Sequence, residues 1–539
     1  MKRLSIYLLA GAALLSTSCS DFLDTAPYDA LSPSTTWKTE NDAESFVVGC
    51  YNGLWDPTAI LYLDCGSDIG YNNFSWEGWR PWGDGSLSSS NTGTSFYDFT
   101  IIRRCNTVLD NIDNVEFTTD GKKEDLIAQV KAIRAYCYFR MNWWYGGVPI
   151  IGSYLTAEEA QVPRNTEAEV REQIAKDLDD AIANINEKPS ARGRIAKGAA
   201  LAIKMREALY YEEWQKAKDA AQAIIDLKQY ELESDYSELF KLTGVDSKEI
   251  IVADQRIANT FGLGVIGQMY NNKDAGWSSI VPTQSLVDMY EMKDNGLTIN
   301  EPGSGYDATH PFANRDPRMA MTILYPGQDW RGEVLNTLDE YQEDGKSKNI
   351  NYPTYTDNAS KTSLSWAKYL DPIDQYANMW NTGTCVIVFR YAEVLLSYAE
   401  AANELDGPSA QIYDCLDQIR LRAGMKAVDR TKYSTKESLR ELIRRERCVE
   451  LAGEGMRRAD ILRWKDASGK RLAETVLNGD LQRITGTINY SETDPYKRAV
   501  ISTEKAFIET RQFAEKNRYL PIPQGSMDKN PNLKQNNGY

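Results

Sequence analysis

The sequence predicts a mainly α protein made of helical hairpins, with a large irregular region packed on them. Three observations predict it. In residues 389–464, Tyr391, Val394, Leu395, Tyr398, Ala402 and Leu405 recur at steps of three and four, which places them on one buried face of a helix. Gly407-Pro408 breaks that helix, Ile412, Leu416 and Ile419 mark its partner, and residues 436–452 and 456–464 read as a second pair. From residue 241 to about 385 the helical period disappears and Gly, Pro, Asn, Asp, Tyr and Trp dominate. So long a stretch without regular helices is seldom mere linker in a compact chain.

The elements follow in order. MKR, the apolar run LSIYLLAGAALL and Ser-Thr-Ser-Cys read as an export signal over residues 1–18. The small residues before Cys19 resemble a bacterial lipoprotein processing site, with Ser16 where Leu is usual, so Cys19 is the expected lipidation point. An ordinary secretory signal with an incidental Cys19 is the alternative. Residues 25–39, rich in Pro, Ser and Thr, suit a tether. Asn41 is the expected cap of the next helix, with Glu44 in capping-box position and an end at Asp56-Pro57. Helices are then expected over 95–111, 123–144, 167–185, 195–211 and 214–227. Ala200, Ala208, Trp214, Ala217 and Ala221 put small residues where two helices approach closely, as in tetratricopeptide-like repeats. The scaffold is thus about 40–60, 95–240 and 386–468. Residues 60–95 and 241–385 are the loop-rich parts, and 469–539 is expected to be irregular, with prolines forbidding a helix near its end.

Composition sets limits. A chain of 539 residues with 42% hydrophobic and 26% charged residues is ordinary for a folded globular protein, and a net charge of −16 repels phosphate backbones and anionic headgroups. Nucleic acid is disfavoured and neutral ligands remain open. Apart from Cys19, the cysteines at 50, 65, 105, 137, 385, 415 and 448 are odd in number and form no CxxC, which argues against a zinc site or a disulfide framework.

FRYAEVLLSYAEAANEL, RRERCVELAGEGMRRADILRW and YLPIPQGSMDKNPNLKQNNGY together resemble the signature blocks of the SusD/RagB family, the surface-exposed, lipid-anchored nutrient-binding proteins of Bacteroidetes. Cys448 and Asn537 depart from the common pattern, where Arg and Pro are frequent. The resemblance spans the chain and makes 19–539 a single domain. It implies a superhelix of tetratricopeptide-like hairpins bearing an irregular ligand region, an outer-membrane, cell-surface location through the lipid anchor, and a SusC-like TonB-dependent transporter as partner. Ser20-Asp21 and Asp24 resemble that phylum's acidic surface-export signal.

The expected ligand is a glycan. Trp76, Trp79 and Trp82 fall within seven positions of a loop, where flat indoles can stack on sugar rings. Tyr71 lies beside them, and Asp64, Asp68, Asn72, Asn73, Arg80 and Asp84 can hydrogen-bond sugar hydroxyls. The competing reading is that such aromatics pin the loop to the scaffold. Trp277 and Trp330 are the candidate contributions of the middle region, set against the reading that both are core residues, and that region also holds Tyr270, Tyr325, Tyr352, Tyr355, Trp366 and Trp380. Gly262, Gly264 and Gly267 match GxGxxG but no helix is expected after them, so no nucleotide site is read. The single histidine, His310, leaves no multi-His centre, and neither GxSxG nor Walker A is present. No catalytic residue, cofactor or metal site is assigned. Carboxylate pairs for glycoside hydrolysis stay open because 77 Asp and Glu residues supply many and the sequence gives no separation. A peptide-binding member of the same family and a surface glycoside hydrolase are the alternatives. Arg444, Arg445, Arg447, Arg457 and Arg458 are expected to clamp neighbouring helices, with Glu441–Arg445, Glu454–Arg458, Arg447–Glu450 and Arg457–Asp460 as local pairs.

Overall fold

A computed structural model describes residues 36–153 and 156–539. The export signal, Cys19 and most of the tether lie outside the described residues. Among the described residues, ten helices span seven residues or more: α1 (Glu40–Tyr51), α2 (Thr100–Asn111), α3 (Lys122–Tyr145), α4 (Glu167–Asn184), α5 (Lys197–Tyr210), α6 (Trp214–Leu227), α7 (Tyr391–Asp406), α8 (Ala410–Arg422), α9 (Lys436–Glu450) and α10 (Arg457–Arg463). From α1 to α8 each packs on the next, and α9 packs on α7. The chain leaves this stack after α6 and returns at α7, which packs directly against α6. The irregular segment between them is therefore an insertion into a continuous helical stack. Ala208, Leu209, Ala217 and Ala401 form the close contact at that junction, with Trp214 laid over it.

Local chemistry sets the helix ends. At α1 the cap is Thr39 and the capping box is completed by Asp42, not by Asn41 and Glu44 as expected, because Thr39 and Asp42 exchange side-chain and backbone bonds three residues apart. The helix also stops at Tyr51. Asp56, expected to end it, starts the short helix Pro57–Tyr62 by accepting from the Ala59 amide at 2.9 Å.

The described strands form five two-stranded antiparallel sheets: β1 (Gly70–Asn72) with β3 (Ile280–Pro282), β2 (Ile250–Asp254) with β8 (Val386–Arg390), β4 (Ile323–Leu324) with β7 (Ser365–Trp366), β5 (Asp329–Trp330) with β6 (Glu333–Val334), and β9 (Gly479–Ile488) with β10 (Ala499–Arg511). The last pair corrects the expectation that 469–539 is irregular. Its ladder carries bulges between Ile501 and Lys505 and between Phe507 and Glu509, which interrupt the alternation that would mark a strand. A short helix, Gln524–Lys529, likewise forms where none was expected, and Pro523 precedes its first residue, where no helical amide is lost.

One apolar core runs through helices and insertion alike, from Trp37 and Val47 through Trp366 and Phe389 to Leu533. Within it lies a buried ionic lattice. Arg390 pairs with Glu249 at 2.6 Å, Glu450 at 2.7 Å and Glu454 at 2.7 Å. Arg318 reaches Asp316 at 2.6 Å and Glu446 and Glu450 at 3.0 Å. Arg463 grips Glu400 at 2.6 Å. The arginines do clamp elements together, but not through the local pairs expected. Arg445 turns to Glu291, Glu454 to Arg390 and Lys368, Arg447 to Asp460 and Glu400, and Arg457 to Asp68, while Arg458 donates to the backbone oxygens of Gly66 and Trp82. All of these side chains but the half-buried Arg445 are buried, so each finds carboxylate or backbone partners across an interface where the geometry closes around it.

The GxGxxG glycines have a packing role. A five-residue helix, Val265–Met269, does start after Gly264, against expectation. A Cβ on Gly267 would lie 2.5 Å from the Trp380 ring. We expect Gly267→Ala to destabilise the protein by about 1–3 kcal/mol in urea unfolding, because the ring and its neighbour Trp277 must shift.

Candidate functional site

Most of the aromatic loop expected to bind ligand is closed into the core. Trp79 and Trp82 are 3% and 1% exposed, and Trp82 meets Phe96 and Trp144 edge-on at 5.6 and 5.2 Å. Asp68 is buried in a bidentate pair with Arg457 at 2.7 and 2.8 Å. Tyr71 is covered by the guanidiniums of Arg80 and Arg511, at 5.2 and 5.9 Å from its ring. Arg80 itself donates to the carbonyls of Asn72 and Asn73 and lies 3.9 Å from Glu509. Trp79, Trp82, Asp68 and Tyr71 are corrected accordingly: they hold the loop to the scaffold. A loop without an apolar helical face can anchor itself only through such large side chains. Asp64, also fully enclosed, accepts from the amides of Gly453 and Arg457, and burial pushes its carboxyl up to about 6 despite those bonds.

Trp76 has the opposite fate. It is 73% exposed and leans on Phe74 at 4.3 Å. The β1–β3 ladder pairs Asn72 with Ile280, and the Asn73 amide extends it by donating to the Ser279 carbonyl at 2.8 Å. Trp76 and Trp277 therefore lie just beyond the same end of this ladder. Trp277 is 40% exposed and backed by Trp380, ring centroids 4.7 Å apart.

The segment before Trp277 forms one wall of a polar cleft of about 270 Å³, lined also by the β5–β6 hairpin and by residues from 336 to 351. Asp274 is its organising residue. One carboxylate oxygen accepts from the Trp330 indole N–H at 2.6 Å and from the Asn271 amide at 2.6 Å, and the other pairs with Arg331. Arg331 and Gly332 form the two-residue hairpin turn, with φ of 54° and 79°. The left-handed region costs a non-glycine residue about 1–2 kcal/mol, and the ion pair with Asp274 offsets it. The asparagines are occupied with one another and with backbone. Asn349 donates to the carbonyls of Asn336 and Asp339, and Asn351 donates to Asn271 and accepts from the Lys273 amide. They fix the walls. The Lys273–Glu333 pair and the rest of the Arg331 guanidinium stay partly exposed, and Lys273 holds the Glu333 carboxyl below the usual range.

An indole, fixed amides and charges balanced as two cations against two carboxylates match a neutral, polyhydroxylated ligand. The only histidine, His310, is tied to Asp307 at 2.9 Å within one turn. No group of three or more metal-ligating side chains occurs among the described residues. Of the expected site residues, Trp76 and Trp277 are exposed beyond the same end of the β1–β3 ladder, and Trp330 lines the cleft. Asp274, Arg331 and Asn351 were missed. The one local signal was Arg-Gly in a turn where Asn-Gly is the usual choice.

Comparison with known proteins completes the picture. A family model described as the SusD family matches residues 248–539, more than half of the chain. The chain belongs to the SusD family. A second model, described as starch-binding associating with outer membrane, matches residues 21–209 of this SusD-family chain. SusD-like protein P25 of Formosa agariphila is 27% identical over 480 residues, covering 83% of this chain and 87% of that protein. The crystal structure of a SusD-like carbohydrate binding protein from Bacteroides fragilis aligns with a TM-score of 0.80 at 28% identity, over 93% of this chain and 100% of the other. A laminarin binding SusD-like protein shares the fold, with a TM-score of 0.68 at 21% identity over 93% of this chain and 100% of that one. The tetratricopeptide-like superhelix implied for a SusD-family chain is the stack from α1 to α9.

Proposed function

We propose that this SusD-family protein is a non-catalytic, glycan-binding lipoprotein of the outer membrane. It captures oligosaccharides or polysaccharides at the cell surface and passes them to a SusC-like TonB-dependent transporter, with Cys19 as its lipid anchor. The observation that carries the reading is the polar cleft at Trp330, fixed through Asp274 and continued along residues 274–277 toward the exposed indoles of Trp277 and Trp76. A fixed polar wall with indoles beside it suits sugars, which present hydroxyls at their edges and C–H groups on their faces. Two descriptions support it: starch-binding, for the family model over residues 21–209, and carbohydrate binding, for the Bacteroides fragilis relative.

Affinity electrophoresis against plant, microbial and host glycans tests this. At least one neutral glycan is expected to retard the protein, with micromolar to millimolar affinity, or about −8 to −4 kcal/mol. Enzyme-level release of reducing ends from the same glycans would overturn the binding-only assignment.

A further inference from the structure

A second pocket lies on the helical scaffold and shares no lining residue with the cleft. It sits between the short helix Pro57–Tyr62, α3, α5 and the turn at 454–456, and has a volume of about 80 Å³. Its walls are aromatic: Phe96, Tyr136, Phe139, Trp143, Trp144 and Tyr210, all buried. Four charged residues also line it, and three have partners. Arg206 is held by Glu393 at 2.6 Å, Glu454 by Arg390 at 2.7 Å, and an Asp56 oxygen caps the Ala59 amide at 2.9 Å. The Arg140 side chain has no hydrogen bond or ion pair among the described residues. Its guanidinium lies 5.2 Å from the Phe96 ring centroid and 6.0 Å from that of Tyr136. Arg140 Nε and Trp143 Nε1 are buried without an acceptor, and no lining residue has an orphaned buried acceptor. Both orphaned groups are donors, and a buried donor left unpaired costs about 1–3 kcal/mol.

We propose that this pocket binds a carboxylate carried on a short apolar body. The carboxylate answers the unpaired cation with charge-assisted hydrogen bonds, and the aromatic walls take the hydrocarbon. At about 10–15 Å³ per water-sized position, the volume admits roughly six heavy atoms, the size of butyrate. The same chemistry is offered by a free short-chain acid or by an acidic side chain of a partner protein.

Calorimetric titration of the full chain tests it with three probes: sodium butyrate, butyramide as the neutral isostere, and acetyl-Ala-Glu-Ala-amide. Butyrate is expected to bind at least about tenfold more tightly than butyramide, with Arg140→Gln weakening it by a similar factor and Arg140→Lys retaining part of it. Trp143→Phe keeps an aromatic face but removes the indole N–H and is expected to weaken butyrate by roughly threefold to tenfold. If only the peptide binds, and Arg140→Gln abolishes it, the carboxylate pocket stands and its occupant is a protein side chain. The proposal fails if neither carboxylate binds, if butyramide matches butyrate, or if Arg140→Gln binds like the parent. Unchanged glycan retardation of each variant shows that it is folded.

Discussion

Arg390→Ala is expected to lower the stability of the protein by about 3–5 kcal/mol, read from its first transition in urea. The substitution strips the shared cation from Glu249, Glu450 and Glu454, whose side chains are 0%, 0% and 5% exposed. Each is left with one fewer partner in a medium that does not hydrate it. Breaking the exposed Lys216–Glu213 pair by Lys216→Ala serves as the control, with an expected change within about 1 kcal/mol. The same lattice fixes the acid limit of the fold. Burial opposes ionisation of Glu400 and Glu450, but the guanidiniums of Arg463 and Arg447 around the first, and of Arg422, Arg390 and Arg318 around the second, outweigh it. Glu400 is held at about 2 instead of the ordinary 4.5, and Glu450 also lies far below that value. Because the folded values are depressed, their stabilisation is complete above pH 4.5 and is lost as pH falls toward about 2. Asp64 acts with opposite sign: its raised value means that its contribution declines as pH rises from 3.8 to about 6.

Asp274→Ala is expected to weaken glycan binding by about tenfold to a hundredfold, with a much smaller loss of global stability. It removes the acceptor of three donors at once: the Trp330 indole, the Arg331 guanidinium and the Asn271 amide. Trp330 then loses its fixed orientation, and Arg331 keeps a strained backbone with nothing to hold it there. Asp274→Asn retains one oxygen acceptor and is expected to fall between the parent and the alanine variant. Calorimetry with a glycan that retards the parent protein measures both.

The helices were legible because their apolar residues repeat at a spacing that only a helix brings to one face. Residues 214–227 were read to the residue, and the pairs on either side of Gly407 followed from one glycine and one proline. What failed depended on contacts distant in sequence. Nothing local distinguishes Trp82 from Trp76; the first is buried because Phe96 and Trp144 close over it, while nothing comparable covers the second. Asp68 looks like a loop carboxylate until Arg457 arrives from 389 residues away. The link between Asp274 and Trp330 spans 56 residues, so the centre of the cleft left no motif. The β9–β10 hairpin was hidden differently, by bulges that break its alternation and by a largely exposed face that carries little hydrophobic signal.

The central claim is that the loops, and not the regular helices, meet the ligand. The most direct measurement is a calorimetric titration of one neutral oligosaccharide against the parent, Trp76→Ala, Trp330→Ala, the double variant, and Glu441→Gln on the exposed face of α9. The predicted result is binding by the parent and by Glu441→Gln alike, weakening of at least about tenfold in each single loop variant, and no detectable binding in the double. Binding by the double variant equal to that of the parent would contradict the account.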